Sequence, residues 1–322
     1  MSRSGSAAPG REKAPKQFGR GKRLGRDLRR NYQLYLLILP AFALIILLNY
    51  VPMYGVQLAF KDYNASVGIW GSEWVGFKHF ERFLSSYFSG QLIWNTFRIS
   101  ALTLLFGFPI PIIFALMLNE LRSQKYKRIV QTVTYAPHFI SVTVMVGMLF
   151  AFLSQSGGIV NVVLERVFGI KPIAFMSDPD WFLPVYIISE IWQHLGWNAI
   201  IYIAVLSGVD MQLHEAATID GASRMQRIWY INLPCLKPTA IILLIMSTGS
   251  VLSVGFEKIY LMQNTLNMPV SDVLSTYVYR LGMIDAQYEF STAVGLFSSV
   301  VNLVILLAVN FIARKTSEYA IW

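Results

Sequence analysis

Uncharged apolar stretches recur along the chain between shorter polar segments, and each long one can cross a hydrocarbon core of about 30 Å as a helix of roughly 20 residues. Asn31–Phe60 is the first, with a kink or end expected near Pro52. Ile99–Asn119 is the second, with Pro109 and Pro111 expected to bend it. Ile129–Leu164 has His138 as its one acid–base side chain near neutrality and is longer than a single span needs; helix is predicted over Ile140–Leu153, with Gly157 and Gly158 ending it. Phe182–Leu206 is the fourth, although it contains Glu190 and His194. Pro238–Phe256 and Phe290–Ala313 complete the set. The expected fold is an all-α integral membrane protein with six transmembrane helices.

The polar segment Glu215–Pro234 interrupts this pattern between the fourth and fifth spans. Ala216, Ala217, Thr218 and Ile219 predict a short helix, which Gly221 ends by taking a left-handed or tight conformation. Arg224–Asn232 predicts a second helix, which Pro234 should keep from running on unchanged. Glu215 and Asp220 place charge at the two ends of the first helix, and the small Ala216 and Ala217 allow another backbone to come close.

Composition agrees with this pattern. The 322 residues are 55% hydrophobic and only 14% charged, too apolar for an ordinary soluble domain of this length. The net charge of +9 would suit nucleic acid, but ten of the 27 Lys and Arg residues lie in the first thirty positions and most others flank apolar runs. That placement fits membrane orientation and anionic headgroups instead. With the N-terminus inside, the cytoplasmic segments carry nineteen Lys and Arg against seven outside, which predicts N-in and C-in. Glu215–Pro234 then faces the cytoplasm. Residues 1–30, rich in Gly, Ser, Pro, Lys and Arg, should form a basic cytoplasmic tail. Arg29-Arg30 is not a twin-arginine signal, because the apolar run after it is too long and lacks a cleavage site. The lone Cys235 cannot form an intrachain disulfide and is expected as small apolar filler beside Pro234.

The spacing in the polar segment carries a resemblance. Glu215-Ala216-Ala217, three residues, Gly221, nine residues, then Ile231-x-Leu233-Pro234 meets every position of the EAA loop in permeases of ATP-binding-cassette importers. Tyr135-Ala136-Pro137, Gly158-Ile159-Val160-Asn161 and Ile219-Asp220-Gly221-Ala222-Ser223 are similar to runs of the carbohydrate-uptake, maltose-type branch. Pro52-Met53-Tyr54-Gly55, Ala59-Phe60-Lys61-Asp62-Tyr63, Gly68-Ile69-Trp70-Gly71-Ser72 and Trp74-Val75-Gly76 look like its polysaccharide- and oligosaccharide-transport subgroup.

The resemblance implies a type I importer transmembrane domain, with the first helix over 31–60, an external loop over 61–94 and a core over 95–314. It also implies a coupling loop over 210–237, a cytoplasmic tail over 315–322 and a multi-pass position in a bacterial inner membrane. The partners it implies are a second homologous permease, two ATPase subunits that carry ATP and Mg, an extracytoplasmic binding protein and an oligosaccharide. Glu215, Ala216, Ala217, Asp220, Gly221, Ile231, Leu233 and Pro234 would then couple to the ATPase, and this chain would bind no cofactor itself. Aromatic residues of 61–95 and the amphipathic Val273–Met283 would lie outside, as interface anchors or as contacts for the binding protein.

Inside the fourth span, Glu190 and His194 stand four residues apart on one helix face. An intramembrane carboxylate needs a partner or a wet cavity. In one reading this face lines the translocation path, with Trp192 or Trp197 stacking on a sugar and Gln193 or Asn198 hydrogen-bonding to it. In the other, Glu190 and His194 form a satisfied pair that positions two helices. Two ligands do not make a metal site. No phosphate loop of the form G-x-x-x-x-G-K-[ST] and no G-x-S-x-G elbow occurs, and His214-Glu215 lacks the second His of a zinc-protease helix. These absences argue against an ATPase or an intramembrane enzyme. A secondary transporter would show related halves, and no internal repeat is evident; a permease for a non-sugar solute is the remaining alternative.

Overall fold

The computed structural model describes residues 30–249, 252 and 255–316, so the expected terminal tails lie almost wholly outside the described residues. The chain divides into two compact units, Met1–Val56 and Gln57–Trp322.

In the first unit, α1 (Tyr32–Ile45) continues through a π-turn at Ile46–Tyr50 into helical Val51–Met53. Pro52 therefore does not end the helix; the wide turn just before it absorbs the missing N–H and the ring. No residue from 30 to 56 is buried, and an apolar helix exposed on all sides is suited to lipid.

The second unit opens with an antiparallel hairpin, β1 (Lys61–Asp62) against β2 (Glu73–Trp74). Lys61 is buried, with its Nζ donating to the carbonyl of Ile69 at 2.6 Å and lying 5.0 Å from the Trp74 ring centre. Phe60, Phe77 and Phe80 pack on one another, whereas Trp70 and Tyr87 remain exposed. The expected loop over 61–94 thus has an ordered core of its own. It holds α2 (Lys78–Leu84) and the start of α3 (Ser89–Gly107), which begins well before the predicted Ile99.

A set of further helices forms the body. Proline at 109 starts α4 (Pro109–Asn119) directly after α3, so the second expected span is two helices joined at Phe108. The third span begins as α5 (Gln124–Tyr135), passes a 3-10 turn at Ala136–Phe139, and turns by 101° into α6 (Val142–Leu153). Pro137 and the Ser141 N-cap produce that bend: a proline cannot donate, and Ser141 accepts from the amide of Val144. After α7 (Ile159–Phe168), α8 (Pro179–Ser207) runs unbroken for 29 residues.

Helix α8 is the hub, packing on α3, α4, α5 and α11 (Leu233–Thr248). Its buried Phe182, Tyr186 and Ile187 form one core with Ile99, Val146 and Ile259, and its Ala199, Tyr202 and Leu206 form another with Ala115 and Leu236. The third core joins Phe83 and Leu92 to Leu274 on α13 (Leu274–Tyr279) and to Phe290 and Val294 on α14 (Tyr288–Thr316). Between them, α12 (Phe256–Met262) packs on α6.

Among the described residues, four helical stretches are long and apolar enough to cross a membrane, or five with the bent pair counted as one span. Helix α8 falls outside that set because Glu190, Gln193, His194 and Asn198 lower its hydropathy. The fifth span departs furthest from expectation. It was placed at Pro238–Phe256, but the continuous helical stretch is Arg224–Thr248. Pro234 does not separate a second finger helix from it, because the π-turn Ile228–Asn232 precedes that proline and takes up its lost bond. Cys235 is exposed rather than packed as filler.

Candidate functional site

Two places bring functional side chains together. The first is the polar finger. Asp210 caps α9 (Met211–Ile219), accepting from the Gln212 amide at 2.9 Å. At the other end, Gly221 takes a φ of +79°, its amide donates to Thr218 at 3.1 Å, and the Ala222 amide donates to Ala217 at 2.8 Å. This is a Schellman closure, and it needs a residue without a Cβ at the left-handed position. The chain then enters α10 (Arg224–Arg227) through a capping box between Ser223 and Gln226. The Arg227 guanidinium donates to the Thr218 hydroxyl and ties the two limbs together.

No residue of α9 is buried. Glu215, Ala216 and Asp220 are exposed, Ala217, Ile231 and Leu233 are half-buried, and Pro234 is exposed. Ile219 is 87% exposed and Tyr230 is 80% exposed, so apolar side chains are displayed at the tip and flank of the finger. A short helix with neither an apolar seat nor a buried face is poorly accounted for by the packing of this chain alone.

The second place is a cavity of about 620 Å³ between α3, α4, α8 and α11. Glu190, His194, Trp197 and Asn198 line it, together with Ser100, Thr103 and Tyr202. These α8 positions recur at the helical period, so one face of the hub forms the wall. The Oγ1 of Thr103 is itself buried and has no hydrogen-bond partner among the described residues.

Trp192 and Gln193 are not on this wall. Trp192, two residues beyond Glu190, points to another side of α8 and is exposed there, and Gln193 is buried against other elements. The Nε2 of Gln193 donates to the carbonyl of Ile140 at 2.9 Å, at the bend between α5 and α6. Neither therefore lines this cavity, and Gln193 holds the bend.

Glu190 and His194 do meet, with Oε1 3.2 Å from Nδ1. The second carboxylate oxygen accepts from Lys258 Nζ at 2.9 Å, and the lysine side chain is 3% exposed. Both readings of the pair thus have a physical counterpart, since it joins α8 to α12 and also faces the cavity. Lys258 lies 68 positions from Glu190, so no local spacing pairs the two. A lysine within the apolar run Phe256–Met262 was the available signal. The ring of His138 stacks on Trp197 with centroids 4.2 Å apart and planes within 5°. Among the described residues no group of three His, Cys, Asp or Glu side chains is placed to hold a metal ion.

Residues 107–318 match the family described as "binding-protein-dependent transport system inner membrane component". Protein LplB of Bacillus subtilis is 44% identical over 90% of this chain and 91% of its own length. The polygalacturonan/rhamnogalacturonan transport system permease protein YteP of the same organism is 42% identical over 94% of both. A chain in the crystal structure of a bacterial alginate ABC transporter, in complex with its alginate pentasaccharide-bound periplasmic protein, superposes with a TM-score of 0.85. It is 41% identical and covers 93% of this chain and 100% of that one.

Proposed function

Because the chain belongs to the family of binding-protein-dependent transport system inner membrane components, we propose that it is the permease subunit of an ATP-driven oligosaccharide importer in a bacterial inner membrane. The observation that carries the reading is the match of the family to a chain whose exposed finger helix has no seat of its own. In this account α9 docks in a cleft of an ATPase subunit, and Glu215 meets basic or amide groups there. A second permease completes the membrane pair, and a binding protein delivers the sugar at the external face. Six spans, with both termini inside, place the finger in the cytoplasm.

Coupling then needs no chemistry in this chain. Closure of the ATPase pair displaces α9, and the cavity turns outward; hydrolysis lets it return. The finger transmits free energy only if it makes different contacts in the two states. The cavity wall supplies carbohydrate-type groups, an indole face at Trp197 and polar side chains at Asn198 and His194. Two of the relatives are named for polygalacturonan/rhamnogalacturonan and for alginate, so uronate-rich oligosaccharides are the first class to try.

Affinity purification of the tagged chain from membranes that contain the neighbouring transport subunits tests the reading. An ATPase subunit should be retained by wild type and lost from Glu215→Lys while membrane insertion is unchanged. Absence of any ATPase from the wild-type preparation would contradict the assignment.

A further inference from the structure

We propose that His138 is a positioning residue that holds the indole of Trp197 as a platform for a sugar ring. The inference rests on the reading of Trp197 as the sugar-facing aromatic of the cavity. Trp197 lines that cavity and His138 does not. The imidazole lies flat on the indole at 4.2 Å, and Phe139 meets the same indole edge-on at 6.0 Å. One indole face is therefore occupied by protein, and the exposed remainder is free for a ligand.

The position of His138 is itself set from several sides. At Gly196, a Cβ would collide with the carbonyl oxygen of Thr134, so the end of α5 crosses α8 where the side chain is missing. The next turn then delivers His138 onto Trp197. Gln193 closes the same clasp by donating to Ile140. His194 meets His138 edge-on, with centroids 5.4 Å apart, and is held in turn by Glu190, which Lys258 anchors. The buried Nδ1 of His138 has no hydrogen-bond partner among the described residues, so ring stacking rather than a polar bond at that atom accounts for its place.

Without the imidazole, the indole regains rotamers that a sugar must then order on binding. Ordering one large side chain weakens apparent affinity by about threefold to tenfold. The maximal rate, which the ATPase motion governs, should change much less.

The test uses the full complex in proteoliposomes with its binding protein, and an oligogalacturonide and an alginate pentasaccharide as probes. Sugar-stimulated ATP hydrolysis gives a half-saturating concentration and a maximal rate for each variant. His138→Leu should raise half-saturation about threefold to tenfold with the maximal rate within about twofold, and His138→Phe should restore it. Trp197→Ala should raise half-saturation at least as far. If Trp197→Ala has the effect and His138→Leu does not, the positioning role is wrong and the platform stands. If Trp197→Ala leaves half-saturation unchanged, the platform itself is wrong. His138→Gln serves the same comparison should His138→Leu not assemble. Failure of both to assemble beside an intact His138→Phe would assign the ring to folding and overturn the proposal.

Discussion

Lys258 Nζ donates to Glu190 Oε2 at 2.9 Å, joining two helices whose residues stand 68 positions apart in the chain. The lysine is buried, so its charge depends on that carboxylate. Lys258→Met should destabilise the purified complex by about 3–5 kcal/mol, because it leaves the Glu190 carboxyl with the His194 contact alone. Glu190→Gln with Lys258→Met should recover most of the loss, since both charges leave together. Thermal melts of the two variants in one detergent check this. Equal losses in both would mean that the pair acts through shape rather than charge.

Gly196 and Gly147 give a second, paired comparison. A Cβ at Gly196 would overlap the Thr134 backbone, whereas one at Gly147 in α6 meets nothing within 4 Å. Gly196→Ala should cost about 1–3 kcal/mol by forcing α5 away from α8. Gly147→Ala should be neutral, or stabilising by roughly 0.5–1 kcal/mol, through helix propensity alone. The same melts report it, and a neutral Gly196→Ala would contradict the close crossing.

At Gly221 the constraint is conformational, because no atom crowds the position and yet φ is positive. Gly221→Ala should cost about 1–2 kcal/mol locally. Proline cannot adopt this φ, and it also removes the donor to Thr218. Gly221→Pro should insert into the membrane normally and abolish sugar-stimulated ATP hydrolysis in the assembled complex. Normal stimulation in that variant would exclude α9 as the coupling element.

Much of this arrangement was legible in the chain, for reasons that differ by element. The finger could be read because Gly221 is a local signal that acts within one turn. Helix α14 was legible as one long uncharged run. The extension of the fifth span across Pro234 was not, because the π-turn that admits the proline has no sequence mark. The contacts of α8 were half legible: the helical period put Glu190, His194 and Asn198 on one face. Which face met the cavity depended on α3, α4 and α11. That is why the chain alone does not separate Trp192 and Gln193 from the residues that line the cavity, or bring Lys258 and His138, distant in sequence, to α8.

The cavity wall makes its own prediction. Thr103→Val removes a buried hydroxyl that has no partner among the described residues, so it should leave the melting temperature nearly unchanged. A clear fall in the melting temperature would show that the hydroxyl is satisfied in the folded protein.

The most direct measurement is uptake itself. The chain, co-expressed with a second permease and an ATPase subunit and reconstituted in proteoliposomes, should accumulate a labelled oligogalacturonide or alginate pentasaccharide. Accumulation should need internal ATP and external binding protein, and should be lost in Glu215→Lys. Sugar entry at the same rate without ATP, or in the Glu215→Lys complex, would contradict the account.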